Sequence, residues 1–148
     1  MGTLLLGAVL LTGCGMGTHS PASNDARLTK AAGIATVSLL MPEGLWKDTK
    51  PRSTLDKVAV DKLDGDRGAR GLVRVNLTGT QAILYMKELD QNAHPGWLSP
   101  NAAPSKKQSS VRVYDALGKA LDDIKAARSA TDPAPEVLID DTLATPAA

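Results

Sequence analysis

Val73-Arg74-Val75-Asn76-Leu77-Thr78-Gly79-Thr80-Gln81-Ala82 contains the change of period on which the reading of this chain turns. Val73, Val75 and Leu77 alternate with polar residues, the pattern of a half-buried strand. Thr78 and, three residues on, Gln81 then form the capping-box pattern that opens a helix, with Leu77 and Ala82 placed for a hydrophobic staple. Ala82, Tyr85, Met86 and Leu89 continue as one apolar face to about Asn92. A strand that passes straight into an amphipathic helix points to the α+β class.

Working outward, Leu55 to Leu63 holds Val58 and Val60 in alternation, and Asp64-Gly65-Asp66-Arg67-Gly68 is turn chemistry. The two segments predict a β-hairpin. Arg27 to Met41 fits two descriptions: Leu28, Ala31, Ala32 and Ala35 suit a helix, while Ile34 to Leu40 suits a further strand in front of the hairpin. Pro42, Gly44 and Pro51 mark a turn-rich loop carrying Trp46. Downstream, Ser110 is placed to cap a second helix with the stripe Tyr114, Leu117, Leu121 and Ile124. Asp115 lies four residues before Lys119 as a supporting ion pair, and Lys125 and Arg128 suit the helix C-terminus. Gly118 within it costs about 1 kcal/mol against Ala, so this helix must lean on tertiary packing. After Pro133 and Pro135, Glu136 to Asp140 predicts a fully buried strand. The expected architecture is a small antiparallel or mixed sheet, hairpin plus C-terminal strand, with two helices packed on one face. Residues 26–142 form one domain in this reading, and residues 143–148 a frayed tail.

The 148 residues carry a formal charge of +1, and the basic residues are scattered. That excludes the electrostatic footprint of a nucleic-acid-binding protein. Lys106-Lys107 is the only adjacent basic pair, too small to hold an anionic surface. Aromatic residues are few: two Trp, two Tyr and no Phe. The core has to be built from Leu, Val, Ile and Ala, and each Trp becomes conspicuous.

At the other end of the chain, Leu11-Thr12-Gly13-Cys14 follows the apolar run Leu4 to Leu11 and contains the sole cysteine. Eight residues of helix reach only about 12 Å against a hydrocarbon core of roughly 30 Å, so the run is too short to span a bilayer. It has the size of a signal-peptide apolar region. This segment resembles the lipobox of bacterial lipoprotein precursors. The resemblance implies a diacylglyceryl thioether on Cys14, cleavage before it, and residence outside the cytoplasm on a lipid anchor. Residues 1–13 are then a signal peptide, and residues 14–25, small and polar from Gly15 to Asn24, a flexible lipidated tether. Met1 to Thr3 lack the Lys or Arg of an n-region, as expected if translation starts further upstream. Myristoylation wants Ser or Thr at position six, where this chain has Leu6. The plainer alternative is a buried cysteine behind an apolar strand.

Beyond the lipobox the candidates are sparse. His94-Pro95-Gly96-Trp97 opens a Pro- and Ser-rich connection to Ser109, long for a compact domain. Its functional reading is a ligand contact, with Trp97 as a flat apolar face and His94 as a switchable donor; its structural reading folds Trp97 back onto the helix ends. Trp46 and Trp97, both in turn-rich loops, are expected to form a shallow recognition patch with His94. No metal set is present, since His19 lies in the tether and Asp61, Asp64 and Asp66 have the wrong spacing for a calcium loop. Gly65, Gly68 and Gly71 are misplaced for cradling phosphate. A nucleophile elbow is absent, and Asp122-Asp123 on a helix would point about 100° apart. No cofactor is implied. The sequence therefore suggests a membrane-anchored extracytoplasmic lipoprotein, non-enzymatic, an accessory or binding protein whose partner is an envelope protein or small ligand. The alternative is a small tethered envelope hydrolase using His94, with Ser99 as the nearest hydroxyl.

Overall fold

A computed structural model describes residues 19–52, 54–96, 103–124 and 131–139. The chain is α+β, with a four-stranded mixed sheet in the order β2-β3-β1-β4. The elements are α1 (Asn24–Ala32), β1 (Thr36–Pro42), α2 (Glu43–Thr49), β2 (Val60–Lys62), α3 (Gly65–Ala69), β3 (Leu72–Thr78), α4 (Gly79–Ala93), α5 (Pro104–Asp122) and β4 (Glu136–Leu138).

The antiparallel pair β1–β3 forms the centre, in the register Val37 to Leu77, Leu39 to Val75 and Met41 to Val73. Those six side chains share one face, all at most 4% exposed. Because side chains alternate along a strand, the same register sends Ser38 and Asn76 to the other face, where their side chains hydrogen-bond at 2.6 Å. The apolar face is covered by α4 and α5, as expected, and also by residues of α1 and α2: Ala31, Trp46, Tyr85, Met86, Leu89, Val113, Tyr114, Leu117 and Leu121 belong to one core.

The junction at Thr78 forms as its residues predict. Thr78 N–H donates to Gln81 Oε1 at 2.9 Å, and Gln81 N–H donates to Thr78 Oγ1 at 3.3 Å. Gly79, the first residue of α4, permits a close approach: a Cβ there would lie 2.5 Å from the carbonyl oxygens of both Ala31 and Ile34. The end of α1 is thereby docked against the start of α4.

Several expectations need correction. The ambiguous segment 27–41 is both things in turn, a helix and then a strand, divided at Gly33. The hairpin's first strand shrinks to Val60–Lys62, because Leu55 turns inward and is fully buried. The expected turn 64–68 contains helix α3, bracketed by Gly65 at φ 64° and Gly71 at φ 73°, left-handed conformations that glycine adopts at least cost. The loop after Pro42 is helix α2. The second helix begins at Pro104 and not at Ser110, since proline suits the first helical position and loses no hydrogen bond there. Lys119 pairs with Asp123 at 2.8 Å in place of Asp115. The last strand is an edge strand, parallel to β1, in which only Val137 is buried while Leu138 is 49% exposed. The folded part also starts before residue 26: Asn24 opens α1, and residues 19–25, expected as tether, lie against the domain. The tail 143–148 and Asp140 lie outside the described residues.

Gly118 is explained by α1. The Arg27 guanidinium lies across it, so that a Cβ on Gly118 would meet Arg27 Cζ at 2.6 Å. Arg27 bonds both carboxylate oxygens of Asp122 and sits 5.5 Å from the Tyr114 ring centroid. That bridge holds the Asp122 carboxyl below its usual range, so its contribution is present above the ordinary carboxylate pKa and fades as pH falls through the folded value. With Asp122 44% exposed, the contribution is small.

Two outcomes follow from this packing. Leu117→Ala and Leu121→Ala should each lower stability by roughly 2–5 kcal/mol in chemical denaturation. Trp46→Ala should be at least as damaging, at about 3–5 kcal/mol, because the indole is 2% exposed and fills the core edge-on to Tyr85. Changes below about 0.5 kcal/mol at these positions would overturn the packing described. Burial also raises the phenol pKa of both Tyr85 and Tyr114 above the ordinary 10.0. As pH climbs through that value the unfolded chain sheds protons that the folded chain keeps, so stability should fall. Tyrosinate absorbance should accordingly appear at higher pH in the folded protein than in denaturant.

Candidate functional site

The side chains best placed for chemistry gather where α4 ends. Asp90, in the last turn, is only 5% exposed although it is a carboxylate. A helix places His94 one turn further on the same face, and its Nδ1 lies 2.9 Å from Asp90 Oδ1. Ser20 donates its hydroxyl to the other oxygen, Asp90 Oδ2. The His19 N–H donates to the His94 carbonyl at 3.0 Å. The imidazole packs edge-on to Tyr114, ring centroids 5.0 Å apart, and the Tyr114 hydroxyl donates to Asn24 Oδ1 at 2.9 Å.

An ionised carboxylate has only lone pairs to offer, so the nitrogen facing it must carry a proton. Nδ1 is then the N–H, and Nε2 is the nitrogen left for another partner. That is the base-and-orienter half of a hydrolytic triad. The hydroxyl is on the wrong side of it: in a triad the imidazole lies between hydroxyl and carboxylate, whereas here Asp90 lies between Ser20 and His94. Ser20 binds the carboxylate and is not activated by the imidazole. Ser99 falls outside the described residues.

Of the other sequence candidates, Trp46 is corrected most sharply. Its burial in the core removes it from any recognition patch, because a side chain packed on Tyr85 has no face left for a partner. His94 is part-exposed at 24% of its side chain. Trp97 and Cys14 lie outside the described residues, so the expected grouping of Trp46, His94 and Trp97 is not formed through Trp46. Asp122 and Asp123 diverge as predicted, to Arg27 and Lys119. Among the described residues no group of three or more His, Cys, Asp or Glu could hold a metal ion.

A second feature escaped the sequence reading. The end of α2 and the start of α5 enclose a cavity of about 190 Å³ lined by Lys47, Asp48, Lys50, Arg52, Ser105 and Lys106. No local signal could announce it, since the fold brings Lys106 to residues more than fifty positions earlier in the chain. The start of α5 favours negative charge there. Carboxylates oppose the cations, however: Lys47 pairs with Glu43 at 2.6 Å, Lys50 with Asp56 at 2.7 Å and Lys106 with Glu88 at 3.5 Å, while Asp48 lines the cavity itself. The hydrogen bond from Lys47 holds the Glu43 carboxyl below its usual pKa. The cleft thus offers polar donors and acceptors without the one-signed field that captures anions.

Ser110 shows how a cap signal misleads. Its residue is wholly buried within α5, and its Oγ has no hydrogen-bond partner among the described residues. Comparison with protein-family models, with curated proteins and with solved structures finds no match to the chain. Removing a buried, unbonded hydroxyl relieves its desolvation penalty, so Ser110→Ala should raise stability by about 1 kcal/mol. A loss of that size in chemical denaturation would show that the hydroxyl is satisfied in solution.

Proposed function

We propose that the chain is a bacterial lipoprotein, exported, acylated on Cys14 and held at the outer face of the cell membrane as a non-enzymatic accessory or binding protein. The observation that carries this reading is Leu11-Thr12-Gly13-Cys14 at the end of an eight-residue apolar run, with the only thiol of the chain at the modification position. An exposed lone thiol outside the cell would be open to oxidation or to pairing with another chain, and a thioether removes both hazards. Two acyl chains are needed for stable attachment, since one is marginal. The envelope-hydrolase alternative draws on His94, and the Asp90–His94 contact is the part of the geometry that favours it. The accessory reading is supported by what that pair does: it holds Ser20 through the carboxylate, an arrangement that serves docking of the N-terminal segment. The polar cleft between α2 and α5 is where a small polar ligand would meet the domain.

Expression of the full chain in a bacterium tests the anchor. The protein should partition with membranes and need detergent for release, and Cys14→Ala should remain unprocessed or be shed. Recovery of an unmodified Cys14 peptide still joined to residues 1–13 by mass spectrometry would defeat the reading.

A further inference from the structure

The Asp90 carboxylate is 5% exposed, and one of its two side-chain partners, Ser20, comes from the segment next to the proposed lipidation position. Resting on the lipid-anchor reading, we infer that the end of the domain formed by His19, Ser20 and His94 is the surface that faces the bilayer, with the phospholipid headgroup layer as its partner. The segment from His19 is a strap and not a tether. It is held by the His19 N–H on the His94 carbonyl and by the Ser20 hydroxyl on Asp90, and then enters α1 at Asn24, which accepts from Tyr114. Releasing it would break the Ser20–Asp90 and His19–His94 hydrogen bonds, so the docked state is favoured.

The consequence is a matter of reach. Only residues 15–18 separate Cys14 from the strap, five Cα steps in all, which at full extension cover roughly 18 Å. A domain of this size is roughly 35 Å across. A chain shorter than the domain's diameter cannot wrap round it, so the opposite end is kept off the membrane. That opposite end is identifiable. Helix α4 has 15 residues and so runs about 22 Å from the Asp90–His94 end to Gly79, which abuts Ala31 and Ile34 beside Gly33. The domain therefore works flush with the bilayer. A protein partner reaches it from the Gly33–Gly79 end or from the flanks, not across the width of the envelope.

The single cysteine makes a direct test available. A chain beginning at Cys14, which retains every described residue, is coupled through its thiol to maleimide lipid in phosphatidylglycerol–phosphatidylcholine nanodiscs. The nanodiscs carry a paramagnetic headgroup lipid, and amide signals are read by NMR. The amides of His19, Ser20, His94 and Gly96 should lose several-fold more intensity than those of Gly33 and Gly79. Inserting about twelve Gly/Ser residues between Gly17 and Thr18 should flatten that difference, because the slack then exceeds the constraint. Equal attenuation at both ends of the native-length chain would overturn the inference. A gradient that survives the insertion would support the same facing surface, held there by its own contacts with lipid. Because the lipid is supplied by chemistry, these outcomes are independent of cellular acylation; an unmodified Cys14 in cells counts against the anchor reading alone.

Discussion

The register of β1 against β3 is the constraint from which the remaining structure follows. Pairing Val37 with Leu77, Leu39 with Val75 and Met41 with Val73 concentrates the branched and long aliphatic side chains on one face. A slip of one residue would turn Ser38, Asn76 and Arg74 toward the core. With the apolar side so defined, every helix that buries a stripe has to lie on it. The other face carries polar pairs, Ser38 with Asn76 and Arg74 with Glu136, beside one fully buried leucine, Leu40. The edge strands are short, three residues each in β2 and β4, which limits the unpaired backbone they present.

The helical layer is fixed at its ends more than along its length. Gly79 brings the start of α4 against the end of α1, and Ser20 and His19 bring the start of the described chain against the end of α4. Arg27 then ties α1 to α5 by lying across Gly118 toward Asp122, and Lys30 donates to the Asp122 carbonyl at 2.9 Å. Each of these contacts is modest by itself, and several are part-exposed. Together they set the tilt of α1, and through it the direction in which the N-terminal segment leaves the domain. That direction is thus a product of helix packing and not of the segment's own composition.

The parts legible in the sequence were those governed by local rules. The strand-to-helix change at Thr78 was readable because a capping box and a period change are written in adjacent residues. The α5 stripe of Tyr114, Leu117 and Leu121 was readable for the same reason, and all three are buried. What the sequence hid was decided by distant partners. Leu55 looked like a strand residue and became a core plug, since burial under the helices outweighs a weak β preference. Ser110 looked like a cap, but Pro104 offered a better start and the hydroxyl was drawn inside. The strap at Ser20 was invisible because its partner Asp90 is seventy residues away. The proposed lipobox is a local reading too, and it rests on residues 4–14 alone.

Trp46 shows why rarity misleads as a guide to function. In a chain without Phe, the volume under the sheet must be filled by whatever large side chains remain. Among the described residues, Trp46, Tyr85 and Tyr114 are the three largest fully or nearly fully buried side chains, and each comes from a different helix. Tyr85 and Trp46 meet edge-on at 5.1 Å, and the Tyr85 hydroxyl is satisfied by Thr49 Oγ1 at 2.5 Å, so the polar tip carries no unmet demand. Scarcity of aromatics raises the structural value of each one, because a cavity left by a missing ring cannot be filled by neighbouring Val, Leu or Ala without collapse of the layer. A conspicuous tryptophan in an aromatic-poor sequence is therefore to be assigned first to the core, and to a binding surface only when packing has no claim on it.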